Sequence, residues 1–176
     1  MDMLPALQTG KLIVVYAPDA ARTESMNLIA ELSLRGAVTV LDGGNRYRPY
    51  QVAALLRRRT VNISEAAKRL LSRRAFTCYE MNTLLMSAPP QRSPYVILDL
   101  LNTFYDDHVR AGEARRLLDC CLGQIQRLRV SGPVVVTLAP PLAVERAFLL
   151  ERVCEEADEV LTREIPLAQP FQPVLF

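Results

Sequence analysis

This 176-residue chain has two lysines, one histidine and no glycine at all between Lys11 and Arg35. Its longest apolar runs fall well short of the roughly 20 residues a bilayer-spanning helix needs, so no membrane partner is expected. Met1-Asp-Met-Leu-Pro has neither the basic start nor the long apolar run of a secretory leader. Cys78, Cys120, Cys121 and Cys154 lack metal-ligand spacing. A vicinal pair and two scattered thiols read as reduced, mostly buried cysteines, which points to the cytoplasm. The lone histidine, His108, follows Asp106-Asp107. Adjacent residues rarely converge on one ion, so the trio reads as a solvated loop and no metal site is expected. A net charge of +2 gives no global nucleic-acid signal. There is no internal repeat, low-complexity tract or linker.

Half of the residues are hydrophobic and 23% are charged, as in an ordinary globular chain. The length fits one domain over residues 1–176 with a three-layer core. Met1–Gly10 is a lead-in, and 163–176 is a proline-rich C-terminal segment. Nineteen of the 21 basic residues are arginines. A GC-rich genome is the plain explanation. The sharper one is that Arg57-Arg58-Arg59 and Arg73-Arg74 contact phosphates.

Lys11–Asp42 organises the rest of the chain. Lys11–Tyr16 is a short apolar run suited to a buried parallel strand. Ser25–Arg35 has mostly helical apolar spacing and stops at Gly36. Val38–Leu41 is a second buried strand, closed by Asp42. The turn between the first strand and the helix is where G-x-x-x-x-G-K-[ST] would cradle phosphates on backbone N–H groups. In Ala17-Pro18-Asp19-Ala20-Ala21-Arg22-Thr23 no glycine is available for positions that need positive φ. Read without a gap, Arg22 stands on the second Gly, Thr23 on the Lys and Glu24 on the Ser/Thr. Read one residue shorter, Arg22-Thr23 replaces Lys-Thr. Neither register restores the cradle.

Downstream, Gly43–Pro49 is a loop at the carboxyl end of the second strand, the edge where α/β sheets bind ligands. Tyr50–Arg59 is helical. Ser64–Lys68 opens a further helix, with Ser64 as N-cap and Leu70-Leu71 as its apolar contact. Arg73–Cys78 reads either as more of that helix or as a strand beginning near Arg74. Tyr79–Met86 is a helix and Ala88–Pro94 a loop. Tyr95-Val-Ile-Leu-Asp99 is a strand ending in an acid, the Walker B pattern. Leu100–Arg110 is a polar connection. Glu113–Arg129 is an amphipathic helix whose stripe is Leu117, Leu118, Cys121, Ile125 and Leu128. Val134–Leu138 is a strand, Leu142–Cys154 a helix and Val160–Thr162 a last strand. This alternation implies right-handed βαβ units and a mostly parallel sheet with helices on both faces.

Three pieces, in order, resemble the RecA-like recombinase ATPase core of the archaeal and eukaryotic type. Leu41-Asp-Gly-Gly-Asn-Arg-Tyr-Arg-Pro49 is similar to that family's I-D-T-E-G-T-F-R-P segment. Arg74-Ala75-Phe76, with Leu84-Leu85, is similar to its R-A-F/Y segment. Tyr95–Asp99 is similar to its Walker B strand. The likeness runs from roughly Thr9 to Thr162 and implies a RecA-like P-loop NTPase fold. The family's catalytic Glu aligns with Gly44, and its Asn-Gln sensor aligns near Leu138-Ala139. Of the hydrolytic apparatus only Asp99 remains. Removing one such group typically costs ~10²–10³-fold in rate, so the loss of several implies no catalytic residue, no cofactor and no enzyme.

The degenerate nucleotide site is then Ala17, Arg22, Thr23, Gly44 and Asp99. The resemblance implies a cytoplasmic pseudo-ATPase that pairs with another family member or itself, or holds DNA during repair or recombination. Charge clustering nominates Arg46, Arg48, Arg57, Arg58, Arg59, Arg73 and Arg74 as DNA contacts; a solvated basic face is the competing explanation. Two alternatives stand beside this. One is a variant ATPase in which Arg22 replaces the Lys, Thr23 holds Mg²⁺ and Asp99 supports it, with ATP and Mg²⁺ as cofactors. The other is a regulatory subunit unrelated to DNA, docking through Pro170–Phe176.

Overall fold

Parallel pairing accounts for the continuous apolar runs. In the computed structural model, which describes residues 7–141 and 143–163, six strands form one all-parallel sheet. They are β1 (Leu12–Tyr16), β2 (Val38–Asp42), β3 (Leu70–Arg74), β4 (Tyr95–Leu98), β5 (Val134–Leu138) and β6 (Glu159–Thr162), in the order β3-β2-β4-β5-β1-β6. Strands buried on both faces have no polar side to alternate with, so β1, β2, β4 and β5 are buried almost throughout.

Six α-helices cover the sheet: α1 (Arg22–Arg35), α2 (Pro49–Arg57), α3 (Ile63–Lys68), α4 (Cys78–Ser87), α5 (Ala111–Arg129) and α6 (Ala147–Glu155). Alternate residues of each central strand face opposite layers. Ile13, Val15, Val40, Val96, Leu98 and Val135 pack with α1, α2 and α3. Leu12, Val14, Leu41, Ile97, Val134 and Val136 pack with α4, α5 and α6. The α5 stripe is buried as its spacing requires, including Leu117, Leu118, Cys121, Ile125 and Leu128. Each such Leu or Ile contributes about 1.5–3 kcal/mol by leaving water.

Several local expectations are corrected. Helix α1 starts at Arg22 rather than Ser25, and α2 spans Pro49–Arg57. The residue before α3 is Asn62, which makes no side-chain cap, and Ser64 lies inside the helix. Arg73–Cys78 neither continues α3 nor begins a strand near Arg74. The strand is Leu70–Arg74 and ends there. Leu70 and Leu71 belong to it because β2 supplies its backbone partners, Val38 to Leu70 through Asp42 to Arg74. As an edge strand it is mostly exposed and carries no apolar alternation.

Leu100–Arg110 is not simply polar. Asp99 adopts left-handed φ 48° and turns the chain into a 3₁₀ helix, Leu100–Phe104, whose Leu100, Leu101 and Phe104 are fully buried. The helix expected from Leu142 begins at Ala147, after a 3₁₀ turn Val144–Arg146. There Arg146 donates to the carbonyls of Phe104, Asp106 and Val109 and pins the preceding loop. His108 is 96% exposed and pairs only with Asp106, and no metal-ligating cluster exists among the described residues. All four cysteines are free: Cys78 and Cys121 are buried, Cys154 is half-buried and Cys120 is exposed. No helix among the described residues is long and apolar enough to cross a membrane. The segment Pro170–Phe176 lies outside the described residues.

Candidate functional site

The carboxyl ends of β1, β2, β4 and β5 converge on one polar cluster, fed by three loops. From β2 the chain leaves toward β3, and from β4 it leaves toward β5, so the two connections diverge between adjacent strands. Such a divergence opens a crevice at the strand ends, the usual ligand site of an α/β sheet. At those strand ends Asp99 pairs with Arg46 and Asp42 with Arg74.

Asp99 is fully buried, and its backbone N–H donates to Thr137 Oγ1 at 2.9 Å. Its carboxylate accepts from Arg46 Nε at 2.7 Å and, more weakly, from the Ala139 N–H at 3.3 Å. Burial pushes the Asp99 pKa up. The Arg46 guanidinium and the Ala139 N–H oppose that shift, and the nearby Asp42 charge adds to it. The Asp99 carboxylate is thus paired with an arginine from the β2 loop.

Gly44 sits directly against Asp99. A Cβ at Gly44 would stand 2.5 Å from Asp99 Cβ and 2.7 Å from its Cγ. No side chain fits there while Asp99 holds this conformation. The glycine is required by close approach, since its φ is not in the left-handed region.

Asp42 is the second hub. It is 1% exposed and accepts from the Arg46 and Tyr47 N–H groups at 2.8 and 3.1 Å and from Arg74 Nε at 3.2 Å. It fixes the loop that carries Arg46 and ties it to the end of β3. Sequence reasoning treated Asp42 only as the end of its strand. The available signal was an acid at a strand end followed by Gly-Gly, a loop whose amides must find acceptors. Tyr105 closes the cluster: its hydroxyl donates to the Ala139 carbonyl at 3.2 Å, and burial together with the Asp99 charge raises its pKa.

The turn Ala17–Ala21 joins β1 to α1. Ala20 and Ala21 take left-handed φ of 54° and 49°, the conformation glycine would hold without a Cβ penalty, and both are fully buried. Three of its four amides are engaged. Ala17 N–H donates to the Leu138 carbonyl, Ala20 N–H to the Ala17 carbonyl and Ala21 N–H to Asp19 Oδ1 at 3.1 Å. A carboxylate of the loop itself therefore takes an N–H that a phosphate would use. Glu24, which takes the Ser/Thr place only in the ungapped register, pairs with Arg163 just after β6.

The sequence-nominated residues separate into groups. Gly44, Asp99 and Arg46 come together, and Arg74 joins them through Asp42. Arg22 and Thr23 open on a different cavity of about 450 Å³, shared with Arg48, Pro49, Tyr50 and Gln51; Asp99 does not line it. Arg59 is bound to Glu31 at 3.0 Å and to Asn27. Arg57, Arg58 and Arg73 are exposed. No family model matches the chain, and no curated protein shows significant similarity to it.

Proposed function

We propose that this chain is a catalytically inactive RecA-like paralogue that serves as a binding or scaffold subunit in the cytoplasm, in the setting of DNA repair or recombination. Its partner is another protein, either a related RecA-like chain or a second copy, with DNA as a further ligand. The observation that carries the reading is the Arg46–Asp99 pair. Phosphoryl transfer works by placing several charges around the reacting phosphate at once. Here the single acid left from that set is fully buried and bonded to an internal guanidinium. The Asp99 side chain occupies the space that a water-polarising glutamate at position 44 would need. Asp19 engages the loop amide of Ala21, and Glu24 puts negative charge where a Ser/Thr hydroxyl would hold Mg²⁺. The polar groups at the strand ends bond to one another, which makes the edge a rigid framework.

The direct test is phosphate release from ATP by the pure chain with Mg²⁺, alone and with single-stranded DNA. Release at the level of the protein-free control is expected. Steady turnover abolished by Asp99→Ala overturns the reading.

A further inference from the structure

The stretch 43–64 contains five arginines and no acidic residue, and the fold divides those arginines by what they bind. Arg46 is neutralised by Asp99 and Arg59 by Glu31. Among the described residues the Arg48 guanidinium donates only to backbone carbonyls, of Asn45 and Tyr47. Arg57 and Arg58 are exposed at the end of α2, and no carboxylate pairs with either among the described residues.

We propose that the outer face of α2, with the cavity at its N-terminal end, is a binding track for single-stranded nucleic acid. This deepens the scaffold reading above by naming what the scaffold holds, and where. Tyr50, Ala54, Arg57 and Arg58 lie at i, i+4, i+7 and i+8, so they share the solvent side of the helix, and all four are exposed. Val52 and Leu56 occupy the opposite, buried side. About 11 Å of helix separates Tyr50 from Arg57, with only the small Ala54 side chain between them.

At the N-terminal end Arg22 and Arg48 converge on the cavity of about 450 Å³, lined also by Thr23, Tyr50 and Gln51 and by no acid. A second, largely apolar cavity of about 530 Å³ adjoins it. The two share Pro49 and Tyr50, and the second adds Tyr47, Ile63 and Leu70. Cationic and apolar compartments thus meet at one phenol ring, which is 90% exposed.

That pairing fits the two halves of an unpaired nucleotide. The arginine forks take phosphate oxygens, and an exposed ring offers a platform for a base of any sequence. A duplex keeps its bases stacked on one another and leaves the ring unused. A peptide of acidic residues alone has no aromatic ring to stack on it.

The test is fluorescence anisotropy of a labelled oligo(dT) titrated with the full chain across a salt series. Four arginine contacts at about −0.7 each give an expected slope of log K against log salt near −3. Arg57→Ala with Arg58→Ala should flatten the slope to roughly −1.4. Tyr50→Ala should weaken binding at least ~5-fold and leave the slope unchanged. Arg115→Ala, an exposed arginine on the opposite layer, should match the wild type, and circular dichroism confirms that each variant is folded. No binding at low salt overturns the proposal. So does binding insensitive to the α2 changes, or competition by duplex DNA or polyglutamate equal to that by unlabelled oligo(dT). Phosphate release is measured on the same preparation. Silent oligonucleotide binding without ATP turnover removes the track and leaves the scaffold reading standing, whereas turnover removes the scaffold reading itself.

Discussion

Arg46→Ala perturbs the polar cluster at its centre. The wild-type pair joins a carboxylate with 0% exposure to a guanidinium whose side chain is 26% exposed, over 2.7 Å. A surface pair of this geometry contributes at most ~1 kcal/mol. Removing one partner of a buried pair costs ~3–5 kcal/mol, because the remaining charge is stranded. The partial solvent contact of Arg46 places the expected loss near the lower end, about 3 kcal/mol. That is a large share of the ~5–15 kcal/mol typical of a folded domain.

Asp99 limits the damage by taking up a proton. Burial already raises its pKa above 3.8, and losing Arg46 removes the strongest opposing influence. A folded-state pKa above the unfolded value means the folded state binds more protons. The contribution of Asp99 to stability is therefore fully present below about pH 4 and is lost as pH rises through the folded pKa. Arg46→Ala should lie closest to wild type in acid and fall away toward neutrality. The sequence has no tryptophan, so urea unfolding followed by far-UV circular dichroism is the assay. Adding Asp99→Asn should recover part of the loss, because a neutral amide is cheaper to bury than a stranded charge. A loss under ~0.5 kcal/mol with unchanged pH dependence would refute the reasoning, since only a solvated pair behaves so.

Gly44→Ala should cost roughly 2–3 kcal/mol, because its Cβ meets Asp99 Cβ at 2.5 Å. Gly44→Glu should cost more and restore no ATP turnover; a stable Gly44→Glu chain that hydrolyses ATP would contradict the packing. Ala20→Gly sets three effects against one another. Relief of left-handed strain is worth about 1–2 kcal/mol, against ~0.8 for the buried methyl and ~0.4–1 for unfolded-state entropy. The balance is near zero, whereas Ala30→Gly, buried within α1, should lose about 2 kcal/mol. Equal losses at the two sites in urea melts would show that Ala20 carries no strain.

The buried strands were legible because parallel pairing demands apolar runs, and Leu12–Tyr16, Val38–Asp42, Tyr95–Leu98 and Val134–Leu138 all have them. β3 was not, because an edge strand with one neighbour needs no apolar face, and its Ser72-Arg73-Arg74 resembles a helix surface. The turn after Asp99 was hidden for another reason. A single left-handed φ redirects Leu100, Leu101 and Phe104 into the core, and no periodicity encodes one backbone angle.

At the site, the absence of glycine from Ala17–Thr23 foretold alanines forced into positive φ. The partner choices were not visible. Arg46, Arg59 and Arg74 were grouped with Arg57 and Arg58 by charge clustering, yet each is claimed by a carboxylate, Asp99, Glu31 and Asp42 respectively. Asp99 and Arg46 lie 53 residues apart, and only the sheet order brings them together. Asp42 and Asp19 were overlooked because their roles are toward backbone amides, which leave no mark on side-chain spacing.

The central claim is that the crevice at the strand ends is occupied by the chain itself. Isothermal titration of the pure chain with Mg²⁺-ATP examines it most directly. The account predicts no saturable heat, for wild type and Asp99→Ala alike. A stoichiometric, Mg²⁺-dependent isotherm that Asp99→Ala abolishes would contradict it.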